Sequence, residues 1–191
     1  MSEMIVTHSN GVVERYGDKA KFLQMWKPSI AVYCHNNLQK SIGTPTLNAV
    51  RNAYGEDVAI TFISKLIADF LIFRGEENSM DEMDIIMCAS LLIGNRELCS
   101  LNLAFFMNFF FEMKCGKYKI FGSVNAGKIM ECFQEYFKWA YDKQNACYDE
   151  DRKQKEKEEY DNLIKQVKSD RENGLIPNID YSKLFIDINK L

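Results

Sequence analysis

Leu101-Asn-Leu-Ala-Phe-Phe-Met-Asn-Phe-Phe-Phe-Glu-Met113 is the most hydrophobic window of the chain, and its reading decides the fold class. Its 13 residues are too few to cross a bilayer, which takes about 20 apolar residues in a helix. Asn102, Asn108 and Glu112 interrupt it as well. The window therefore reads as a helix buried in a protein core, capped by Ser100 and ended by Gly116.

Helical signals continue on both sides. Upstream, Asp18 precedes a helix over residues 19–26, and Lys27-Pro28 opens one over residues 29–41 with Ile30, Tyr33, Cys34 and Leu38 at helical spacing. Thr44-Pro45 reads as a cap followed by proline at the first helical position, opening residues 46–54. Gly55 ends that helix. Residues 57–73 carry Ile60, Ile63, Ile67, Phe70 and Leu71 on one face and close at Gly75. Ser79 with Glu82 three residues on has the form of a capping box for a helix over residues 80–93. Downstream, Asn125 is placed to cap a helix with the wide apolar stripe Ile129, Met130, Cys132, Phe133, Tyr136, Phe137 and Ala140. Alternating strand patterns are nearly missing. The predicted class is an all-α, single helical domain with at most a minor β-hairpin near residues 117–124 and a long charged C-terminal helix.

No proline or glycine stands between Gly127 and Gly174, and residues 149–159 are almost wholly charged and polar. One helix across that span would be about 70 Å long at 1.5 Å per residue. Two readings stay open: a single helix, or a helix ending near Cys147 followed by a linker and a second helix. The expected organisation is a helical core domain over residues 1–145, a charged helical arm over 146–174, and an apolar segment over 175–191 packed on the core or on a partner. On the arm, Tyr160, Leu163, Ile164 and Val167 form a sparse stripe suited to a partner helix.

The composition bounds the function. Of 191 residues, 47% are hydrophobic and 27% charged, which excludes a disordered chain, a collagen-like fibre and a membrane bundle. The net charge of -3 excludes a wholly basic nucleic-acid coater. The six cysteines, Cys34, Cys88, Cys99, Cys115, Cys132 and Cys147, include no pair at zinc-ligand spacing, and the only histidines are His8 and His35. No metal and no cofactor are expected. Residues 1–10 hold no apolar run of the kind a secretory signal needs, so the expectation is a reduced, cytoplasmic protein. No GxSxG elbow is present. Gly122 to Lys128 has Walker A spacing, but Ile129 follows where the Mg²⁺-binding hydroxyl belongs, and no strand precedes it. The carboxylates of Asp81, Glu82 and Asp84 sit where they complement a helix dipole, and those of Asp149, Glu150 and Asp151 in a solvated run. An enzyme would need a pocket joining His35 to carboxylates distant in sequence.

One segment departs from the average. Residues 114–128 hold Lys114, Lys117, Lys119 and Lys128 and no acidic residue, with Tyr118 and Phe121 between the lysines. Lysines neutralise phosphates and aromatic faces stack on unpaired bases, so these six residues are the candidate nucleic-acid or partner contact. The competing reading is a turn whose rings enter the core and whose lysines are solvated.

Residues 22–38, Phe22-Leu-Gln-Met-Trp-Lys-Pro-Ser-Ile-Ala-Val-Tyr-Cys-His-Asn-Asn-Leu38, resemble the opening of a family of uncharacterised proteins from phages and conjugative elements of gut bacteria. So do residues 47–55 and Phe111-Glu-Met-Lys-Cys-Gly-Lys-Tyr118 with Phe121-Gly-Ser-Val124. In that family the last stretch usually has glycine where Lys119 stands and aspartate where Asn125 stands. The family has no established activity. Its helix-rich layout is similar to small replication accessory proteins of mobile elements, helicase loaders among them, which is an analogy of fold. The function this implies is a non-enzymatic accessory protein of a mobile element, linked to DNA replication or transfer. The alternative is a structural protein–protein interaction module acting through its C-terminal helix, with no nucleic-acid contact. A protein partner is expected; nucleic acid and a second copy of the chain are the further candidates, and no membrane partner is expected.

Overall fold

The computed structural model describes residues 11–174, which are all-α. After a first helix over residues 11–16 (α1) come α2 Lys19–Met25, α3 Ala31–Asn36, α4 Leu47–Tyr54, α5 Glu56–Arg74, α6 Glu82–Gly94, α7 Leu103–Lys114 and α8 Ala126–Glu172. Short 3₁₀ turns precede and follow α3. The anticipated hairpin is a loop: among the described residues the one β feature is an isolated bridge between Thr46 and Asn102. The compact helical unit ends at Cys147, and a second unit begins at Tyr148 within α8. The apolar segment anticipated over residues 175–191 lies outside the described residues.

The core forms around α7, as its sequence predicts. Ten of its twelve residues are buried, because apolar side chains on every side of a helix need neighbours on every side. Helices α3 and α5 pack on it, and the first turns of α8 add an aromatic cluster. The Phe109 ring lies 4.8 Å from Phe133 and 5.3 Å from Tyr136, while Phe106 stacks on Phe133 at 5.2 Å. Full burial of each such ring stabilises the fold by about 1.5–3 kcal/mol. A second cluster fastens the N-terminal helices: Phe22 packs on Tyr54 at 4.9 Å, and the Tyr54 hydroxyl donates to the Gly17 carbonyl at 2.6 Å.

Several helix starts differ from the sequence reading, each for a local reason. Helix α4 is capped by Thr46, whose hydroxyl accepts from the Ala49 N–H, so Pro45 lies outside the helix. Pro45 and Leu101 instead accept from Leu103 and Leu47, which ties the starts of α4 and α7 together. Helix α6 begins two residues after the anticipated start. Asp81 and Asp84 form its reciprocal capping box, and the Ser79 hydroxyl is buried without a hydrogen bond. The N-cap position of α7 is held by Asn102, not Ser100, and the Asn102 side chain makes no capping bond. The Asn102 N–H donates to Gln144 Oε1 of α8 at 2.7 Å, so a distant side chain supplies what a local cap would. Asp18, Gly75 and Asn125 act as read: Asp18 and Asn125 accept from Lys21 and Lys128, and Gly75 ends α5 with φ +67°.

Candidate functional site

The lysine-rich loop begins where α7 ends. Gly116, at φ +76°, lets the chain reverse, with its N–H bonded to Met113 and that of Lys117 to Glu112. This is a Schellman closure, which requires the left-handed conformation glycine tolerates. The reversal brings the loop against acids that the lysine-rich segment itself lacks. Lys114 is ion-paired with Asp69 of α5, and its ammonium lies over the Phe73 ring at 5.5 Å. Lys117 pairs with Glu112 at 2.8 Å and lies 5.1 Å from the Trp139 ring centre. Tyr118 is buried, its hydroxyl donating to Glu112 at 3.4 Å; burial, with the Glu112 charge second, pushes its phenol well above the ordinary value. It cannot stack on a base without leaving the core.

The rest of the loop is tied to itself. The Lys128 ammonium donates to the carbonyls of Phe121 and Ser123, the latter at 2.7 Å. The Val124 N–H donates to the Glu76 carboxylate at 2.8 Å, and that bond, with Arg74 beside it, holds the Glu76 carboxyl below its usual range. Within the Walker-like stretch the Val124 N–H is thus taken by one of the protein's own carboxylates. Of the six candidate residues, Lys119 and Phe121 face solvent without such ties, and Phe121 is 80% exposed.

His35 is engaged as well. Its Nδ1 lies 2.7 Å from Asn108 Oδ1, and its ring lies 4.6 Å from that of Phe111. Asn108 Nδ2 donates to the Tyr136 hydroxyl, which donates to the Phe105 carbonyl. This chain of bonds satisfies polar groups inside an aromatic core. Among the described residues, no group of three or more His, Cys, Asp or Glu is placed to hold a metal ion. No helix there is long and apolar enough to cross a membrane.

On α8, within the second unit, Tyr160, Leu163 and Ile164 are exposed and Val167 is half-buried. The stripe covers about two turns, short of the three to four heptads that mark a coiled coil.

An apolar face uncovered among the described residues was not singled out by the sequence reading. On α6, Cys88, Ala89, Leu92 and Ile93 enter the core. The opposite face carries Met83 (67% exposed), Ile86 (37%), Met87 (57%) and Leu91 (55%). Their spacing of three, four and eight from Met83 places them on one side of a helix. Ser90, between them, donates its hydroxyl to the Ile86 carbonyl at 2.8 Å. The signal was present in the sequence: residues 82–94 are apolar on every side, like α7, yet only one side finds neighbours.

Beside this face, α5 and the start of α6 enclose a groove of about 650 Å³. Its less exposed lining is Ile60, Ala68, Met80 and Ile85, and Ile86 joins it to the outer face. Glu77, Asp81 and Glu82 line it from exposed positions, against the one ammonium of Lys65. The Ser64 hydroxyl, also in the lining, is buried and makes no hydrogen bond.

Compared with protein-family models, curated proteins and solved structures, the chain matches none.

Proposed function

We propose that this protein is a non-enzymatic interaction protein that captures a protein partner on the outer face of α6. One observation carries the reading: a single helix is apolar on both faces, and among the described residues only one face is covered. Four large apolar side chains in one row expose an area on the order of a few hundred Å², the size at which patches on soluble monomers are commonly functional. Two of the four are methionines, whose flexible thioethers adapt to differing partner surfaces. The resemblance to proteins of phages and conjugative elements makes an accessory role in such an element the setting for this activity.

The test is site-specific photo-crosslinking in the cells the protein comes from. A photoreactive residue in place of Met87 is expected to yield a discrete adduct, while one in place of the exposed Lys153 is not. Absence of any adduct at position 87, with the protein folded and abundant, would refute the reading.

A second reading, nucleic-acid contact through the 114–128 loop, rests on Phe121 and Lys119 standing exposed near one another in sequence. It is the weaker one, because Asp69 and Glu112 already pair two of the lysines.

A further inference from the structure

We propose that the partner is a basic amphipathic helix, laid along α6 with its apolar side chains on Met83, Ile86, Met87 and Leu91 and its Lys or Arg side chains against the carboxylates of the adjoining groove. This rests on the interaction reading above and names the chemistry of the occupant. Charge complementarity selects it. From Gly75 to Asn95 the chain carries Glu76, Glu77, Asp81, Glu82 and Asp84, and no Lys or Arg. Arg74 compensates Glu76 at 2.6 Å, and among the described residues Glu77, Asp81, Glu82 and Asp84 form no ion pair. A second copy would bring the same acidic segment, and like charges brought together across an interface cost affinity. A basic helix brings cations to a groove whose three carboxylates face the single ammonium of Lys65.

The area argues the same way. A stable pairing of globular surfaces buries about 800 Å² on each partner, roughly twice what this face offers, whereas one helix in a groove is held by three or four apolar anchors along one stripe. The groove accommodates a long basic side chain: its aliphatic stem fits against Ile60, Ala68 and Ile85, and its charged end meets Glu77, Asp81 and Glu82.

The test uses the full chain and two labelled synthetic helices about 18 residues, or five turns, long. Both carry the same leucine stripe; one has lysine and the other glutamate on its polar face. Anisotropy titrations are expected to show saturable binding of the lysine helix at least about tenfold tighter than of the glutamate helix, weakening as salt rises. Met87→Asp is expected to lose about tenfold or more with an unchanged circular dichroism spectrum and melting temperature, because the side chain is exposed. Glu77→Lys with Glu82→Lys is expected to invert the preference between the two helices. Equal affinity for both helices, or binding untouched by Met87→Asp, would overturn the proposal. So would light scattering that shows a dimer converted to a monomer by Met87→Asp; that result keeps the interaction reading and makes the occupant a second copy. A crosslink at position 87 with no binding of the lysine helix also separates the two, since the face is then used by a partner of other chemistry.

Discussion

Salt titration of DNA binding separates what the lysine-rich loop promises in sequence from what it presents in the fold. Four free lysines neutralising four phosphates would give a slope of about -3.6 in log affinity against log salt, from about -0.9 per phosphate on B-DNA. Raising salt fourfold, from about 50 to about 200 mM, would then cost about 150-fold in affinity. The structure withdraws three of the four. Lys114 is paired with Asp69 and Lys117 with Glu112, and the Lys128 ammonium closes its own loop on two carbonyls. Lys119 remains, so the expected slope is about -0.9, and the same change in salt costs about threefold to fourfold. The assay is fluorescence anisotropy with labelled single- and double-stranded DNA. Lys117→Glu with Lys119→Glu is expected to remove the remaining slope of about -0.9, and Asp69→Asn with Glu112→Gln, which frees two ammonium groups, to steepen the slope by up to about two. A loss on the order of 100-fold for the unaltered protein, abolished by the lysine double variant, would refute this reasoning and restore the loop as a nucleic-acid surface.

Gln144→Leu leaves the Asn102 N–H and the Ser100 carbonyl without the side chain that bonds both; at about 1–2 kcal/mol for each buried group, it is expected to lower the melting temperature by several degrees. The same change at the exposed Gln154 is expected to shift it by little more than one, and equal shifts would remove the capping role of Gln144. Thiol labelling of the native protein is expected to modify Cys115 first, since it is exposed, and to leave Cys34 and Cys88 untouched until unfolding, because burial pushes both thiols up to about 11. Fast labelling of Cys34 or Cys88 would contradict their burial. The Glu76 carboxyl is held below its ordinary value by the Val124 N–H and Arg74, so its tie to the loop is fully present above the unfolded-state pKa and is lost as pH falls through the depressed one. The Val124 amide resonance is therefore expected to titrate below the ordinary glutamate range, and a midpoint at or above it would rule the tie out.

Much of the fold was legible because its causes are local. The three-to-four-residue spacing of apolar side chains located α5, α7 and the start of α8, and Asp18, Gly75 and Asn125 marked boundaries through bonds to residues a few positions away. Where boundaries shifted, the decisive partner was distant: Gln144 is 42 residues from the Asn102 it serves. The alternatives left open for the C-terminal region also needed the structure, which shows one helix from Ala126 to Glu172.

The candidate site was legible only in part. Composition and periodicity by themselves determined an all-α chain with a buried aromatic helix, because burial of a helix follows from the apolar residues it carries. They could not determine which charges are compensated, since Asp69 reaches Lys114 across 45 residues of sequence. Nor could they show that α6 differs from α7. Both are apolar on every side, and only the tertiary structure decides that α3, α5 and α8 surround one while, among the described residues, half of the other is left uncovered. Burial is set by how many helices the packing can place around each one, and that number is a property of the assembled fold, not of the segment.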